Sequence, residues 1–162
     1  MMSNMRFDQY MNIVRSHQSR WPIKVVPLAR ELGLPVYYVN GWGDDLSGMI
    51  KREENEEFSI YINNNHSSHR RRFTIAHEIA HYILHQDKIG DGIVDDALFR
   101  SALSNRTEAE ANRFAANILM PWDLINRAMN EGITSLEDLA ESFNVSKSAM
   151  SIRLGVPFDN MD

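Results

Sequence analysis

The sequence contains no cysteine. Disulfides, thiolate metal sites and thiol nucleophiles are therefore excluded, and any metal must be held by His, Asp or Glu. No window approaches the ~18–20 consecutive apolar residues of a membrane helix. The opening MMSNMRFDQYMNIV also lacks the ~7–15-residue apolar stretch of a secretory signal. With the missing cysteines, this makes the cytoplasm the expected location. Positive charge is scarce as well: 17 Lys and Arg stand against 22 Asp and Glu, a net charge of −5. The largest basic cluster, Arg70-Arg71-Arg72, is too short to support non-specific nucleic-acid binding by the whole surface. What is present is ordinary globular material, 43% apolar and 24% charged in 162 residues, enough to bury a core unaided.

Phe7, Tyr10, Met11 and Val14 recur at i, i+3, i+4 and i+7 and predict an amphipathic helix, ended by Trp21-Pro22. Pro27 to Gly33 reads as a short helix with Pro at its start and Gly past its end. Three strands are expected, at Pro35–Val39, Ser47–Arg52 and Phe58–Asn63, the last two joined by an acidic hairpin loop, Glu53–Glu57. A long helix follows from about Ser68 to Gln86. The Gly- and Asp-rich stretch Asp87–Asp96 reads as a loop without EF-hand spacing. A helix over about Thr107–Met120 stops at Pro121, and three short helices complete the chain at Asp123–Asn130, Leu136–Phe143 and Lys147–Leu154. Thr134 with Glu137 fits a capping box, and Gly155 a helix stop. The organisation expected is α+β, mainly helical with a small three-stranded sheet, divided into a domain over 1–121 and a helical segment over 122–162.

The chemistry concentrates in His77-Glu78-Ile79-Ala80-His81. On a helix, two imidazoles four residues apart are separated by about 6 Å along the axis and about 40° around it. Both rings then reach one ion, with the intervening glutamate beside it to handle a bound water. Ile75, Ala76, Ile79, Ala80, Ile83 and Leu84 cover much of the same helix, so it is buried, and buried polar groups require partners. The plain alternative is a pair of core histidines bonded to backbone carbonyls. His85 extends the series but lies about 12 Å from His77 along the axis, too far to share an ion; it reads as a supporting residue.

A catalytic zinc usually takes a third protein ligand. In Thr107-Glu108-Ala109-Glu110-Ala111-Asn112 the apolar stripe runs through Ala111, Phe114, Ala115, Ile118 and Leu119. Glu108 lies at the edge of that stripe and Glu110 on its flank, which favours Glu108 and leaves Glu110 open. Asn112, one turn beyond Glu108, is placed to hydrogen-bond a ligand.

Arg72-Phe73-Thr74-Ile75-Ala76-His77-Glu78-Ile79-Ala80-His81, Leu84-His85 and Glu108 through Pro121 (EAEANRFAANILMP) together resemble the ImmA/IrrE family of metallopeptidases. The resemblance extends to Pro27–Val36, Ser47-Gly48 and Tyr61-Ile62-Asn63. It implies a zincin-like core, one Zn2+ held by His77, His81 and Glu108, Glu78 as general base, and a helix-turn-helix repressor as protein substrate. Ala80 departs from the family's frequent Gly; Ala favours the helix. Tyr82, His66 and His69 are the candidates for a second oxyanion donor, and Phe58–Asn63 for an edge strand that pairs with substrate.

Leu136 to Leu154 also has the apolar spacing of a helix-turn-helix, with Ile152 counted among its apolar positions. This supports a second reading, a metal-bound regulator that binds DNA without proteolysis. Charge disfavours it: from Asp123 onward seven acidic residues face three basic ones, and phosphate contacts need more.

Overall fold

The computed structural model describes residues 4–96 and 104–157. Residues 1–3, 97–103 and 158–162, which include the outer ends of the expected 1–121 and 122–162 segments, lie outside them. The fold is α+β and mostly helical, as expected.

Helix α1 (Asn4–Ser16) turns Tyr10 and Val14 into the core. Helix α2 (Val25–Glu31) starts two residues before Pro27. Backbone N–H groups of a first turn have no intrahelical acceptor, so the proline costs no bond there. Its end is set by Gly33, at φ +86°. Gly33 N–H donates to the Arg30 carbonyl (2.9 Å) and Leu34 N–H to that of Ala29 (2.8 Å), a left-handed closure that glycine adopts without strain.

Among the described residues the sheet has four strands, not three. Strands β1 (Val36–Val39), β2 (Leu46–Arg52) and β3 (Phe58–Asn63) fall where expected, and β4 (Gly92–Asp96) forms within the stretch read as a loop. The order is β1-β3-β2-β4, with β3 parallel to β1 and antiparallel to β2, and β4 antiparallel to β2. Strand β3 is therefore internal, which corrects its expected role as a substrate-pairing edge; the edges are β1 and β4. Burial agrees: five of the six β3 residues are buried, whereas Val94 on β4 is 42% exposed.

Helix α3 (Ser68–Leu84) crosses the sheet, contacting β2 and β3, and is covered on another side by α4 (Asn105–Leu119). Thr74 through His81 and Ile83 are all buried. The approach of β2 to α3 depends on Gly48: a Cβ there would lie 2.6 Å from Thr74 Cγ2 and 3.0 Å from the Tyr61 carbonyl oxygen.

Helices α5 (Trp122–Asn130), α6 (Leu136–Phe143) and α7 (Lys147–Leu154) follow. The α6 cap is Ser135, whose side chain accepts from Asp138 N–H, one residue later than the Thr134–Glu137 box expected. Arginines bolt these helices to the rest. Arg72 on α3 donates to the carbonyls of Ile23 (2.7 Å), Asn144 (3.0 Å) and Phe143 (3.4 Å), and Arg153 on α7 donates to that of Met120 (2.9 Å). Positive charge at the start of α3 is thus met by neutral oxygens: Arg70 reaches Ser47 Oγ and Arg71 the Asn64 carbonyl.

Candidate metal centre

His77 and His81 leave α3 one turn apart and face α4. His77 Nε2 lies 3.2 Å from Glu108 Oε2, and His81 Nε2 lies 3.1 Å from Glu108 Oε1. These separations approach the about 3.4 Å edge of a tetrahedron with ~2.1 Å arms. The three donor groups lie within 4.8 Å of one another.

The opposite ring nitrogens are engaged away from this point. His77 Nδ1 lies 2.8 Å from Asn112 Oδ1. With Nδ1 donating to that oxygen, Nε2 presents a lone pair. His81 Nδ1 lies 3.0 Å from His85 Nδ1, which fixes the second ring in the same way. Such bonds behind the donor atoms orient metal-ligating histidines and set their tautomer. His81 Nε2 is fully buried with no aligned hydrogen-bond partner, and the nearby Glu108 oxygen completes a set suited to a divalent ion.

Electrostatics agree with the geometry. Burial by itself would push the Glu108 carboxyl up, but when the His77 and His81 rings are protonated at Nε2 their hydrogen bonds and charge outweigh it and hold the group well below the usual carboxylate range; a metal ion would take the place of those protons. Burial pushes the His85 ring down, assisted by His81 beside it and opposed by Glu110. His85 is thereby kept neutral, able to accept or donate one bond to His81.

Of the two glutamates the sequence left open, Glu108 meets the imidazoles. Glu110 is 40% exposed and approaches His85 Nε2 and Arg106 only to 4.0 Å. Glu78, between the histidines on α3, is completely buried. Two oxyanion candidates do not reach the site: Tyr82 bonds Tyr10 and packs on Phe58, and His66 bonds the Asp44 carbonyl. His69 lines the same cleft as His77 and Glu108, but two helical turns, about 12 Å, separate it from His77.

The site opens into a cleft of about 980 Å3 between α3, α4 and α7. Sequence reading missed this third wall. Ile152, counted there among the apolar packing positions, is 78% exposed and lines the cleft. Its signal was its angle: two residues from the buried Met150, it points to the opposite side of α7.

Two imidazoles and a carboxylate meet beside a cleft, on a helix pair backed by a small mixed sheet, as a donor set that could hold one divalent ion. The chain belongs to the Peptidase_M78 family, the ImmA/IrrE family of metallopeptidases, whose IrrE N-terminal-like domain matches residues 29–155. It is 27% identical over 111 residues to the metallopeptidase ImmA of Bacillus subtilis (strain 168), covering 67% of this chain and 62% of that protein. A Mycobacterium tuberculosis transcriptional regulator shares the fold, with a TM-score of 0.62 at 17% identity over 98% of this chain and 49% of that one. This chain thus spans less than two thirds of the length of either relative. Among the described residues, no helix is long and apolar enough to cross a membrane.

Proposed function

We propose that the chain is a zinc-dependent endopeptidase acting in the cytoplasm on a helix-turn-helix repressor, with His77, His81 and Glu108 as metal ligands and Glu78 as general base. The observation that carries the reading is the convergence of both histidine Nε2 atoms on one Glu108 carboxylate at the foot of the cleft. A zinc ion held there supplies Lewis acidity and lowers the pKa of water toward about 7.

The remaining work falls to the chain. Asn112 and His85 hold the two imidazoles in register. Glu78, shielded from solvent, takes a proton from the attacking water as its oxygen bonds to the peptide carbon. It returns that proton to the nitrogen when the C–N bond breaks, so acid and amine leave balanced. The helix-turn-helix substrate rests on the family resemblance; a protein substrate rests on the family itself.

The test is Glu78→Gln in the whole chain co-expressed with a candidate helix-turn-helix repressor that the wild-type protein cleaves. The variant is expected to keep one zinc per chain by elemental analysis and to lose cleavage by at least about 10^2-fold. Undiminished cleavage overturns the role of Glu78, and purified wild-type protein free of transition metal overturns the site. The DNA-binding alternative has little support: α7 offers Lys147 and Arg153 as cations, and Arg153 is already bonded to the Met120 carbonyl.

A further inference from the structure

We propose, building on the peptidase reading, that α7 is the specificity wall of the cleft and selects a substrate segment in which an acidic residue neighbours a large apolar one. The cleft runs along α4 from Glu108 past Asn112 and Ala116 to Met120, and α7 closes its far side with Ala149 and Ile152. At about 980 Å3 it matches the upper end of the ~300–1,000 Å3 range of ligand pockets, room for a run of residues.

Two features define the occupant. Phe73, Ala116, Ala149 and Ile152 line it with apolar surface from three helices, and Ile152, 78% exposed, has little else to pack on. Cations dominate the charged positions: Arg70, Arg113 and Arg153 line the cleft, while Glu108 is turned to the histidines. This is a local reversal in a chain of net charge −5, and it favours an acidic segment. Arg153 is fixed by the Met120 carbonyl and lies 5.1 Å from the Trp122 ring centroid, so little ordering remains on binding. Duplex DNA fits poorly, because a concave cleft with an apolar stripe between its cations offers little to a row of phosphates.

The experiment selects random displayed peptides on full-length, zinc-loaded Glu78→Gln protein, where binding is read without turnover. Enrichment of sequences with Asp or Glu beside a large apolar residue is expected. Arg113→Glu in the same background, at an exposed position of α4, is expected to turn that preference toward Lys or Arg. Ile152→Asp is expected to weaken binding of an enriched peptide about tenfold with an unchanged thermal melt. Enrichment without a charge preference, or a preference that Arg113→Glu leaves intact, overturns the proposal; so does displacement of the peptides by duplex DNA. If the enriched peptides bind in this pattern but protein with Glu78 intact leaves them uncut, the specificity wall stands and the peptidase reading alone falls.

Discussion

At the scale of single residues, the two histidines depend on what stands behind them. Asn112 Oδ1 at 2.8 Å from His77 Nδ1, and His85 Nδ1 at 3.0 Å from His81 Nδ1, each fix one ring. Neither touches the point where Glu108 meets the Nε2 atoms. Asn112→Ala and His85→Phe are therefore expected to lower zinc affinity about 10- to 100-fold, measured by competition with a chromophoric chelator. Glu110→Ala should leave it unchanged, whereas Glu108→Ala should cost more than either. A second prediction concerns pH. The Tyr61 hydroxyl donates to Glu53 Oε1 at 2.6 Å, and that bond, then burial and the Glu53 charge, push the phenol up to about 12. A pKa raised above the unfolded value of about 10 stabilises the fold fully below pH ~10, and the contribution is lost as pH rises through the folded value. Denaturant titrations between pH 9 and 12 should show this alkaline loss, and Tyr61→Phe should flatten it.

At the scale of elements, legibility followed the source of each element's stability. Helix α3 was readable because its apolar residues and His77-Glu78-x-x-His81 share one helical period, and β3 because β-branched and aromatic residues fill it. Strand β4 was not readable. Gly92-Ile93-Val94-Asp95-Asp96 carries turn-forming residues, and its conformation comes from pairing with Met49, Ile50 and Lys51 on β2, a tertiary contact that overrides local preference. The same limit hid the order of the sheet, so β3 was mistaken for an edge. It also hid the α7 wall, since docking of α7 rests on Arg72 and Arg153 reaching carbonyls far away in sequence. Those contacts are testable. Replacing Arg72 by Lys leaves a single ammonium where a planar fork serves three carbonyls. Arg72→Lys is expected to cost about 2–3 kcal/mol in urea unfolding with an unchanged m-value. Gly48→Ala forces β2 away from Thr74; the strain of such overpacking is about 1–3 kcal/mol, and the shift should appear as a lowered midpoint in the same assay.

At the scale of the whole molecule, the donor set joins two parts of the chain that the sequence keeps apart. His77 and His81 belong to α3, packed on the sheet, while Glu108 belongs to α4, which leads into α5 and the C-terminal helices. An ion bound by all three ties the N-terminal layer to the C-terminal one, and only the folded chain brings these donors together. Binding to the native state alone stabilises it by mass action, about 4 kcal/mol when free ion exceeds its dissociation constant ~1,000-fold. For a chain of this length that corresponds to a rise in Tm of roughly 10 °C. Calorimetry before and after exhaustive chelation should show a fall of that size, restored by stoichiometric zinc. The Glu108→Ala protein should melt near the chelated value and respond weakly to added zinc, because its two remaining donors sit on one helix and no longer link the layers. Equal melting of loaded and chelated wild-type protein would mean that the ion does not tie α3 to α4, and that direct packing and the His77–Asn112 bond hold the two helices together without it.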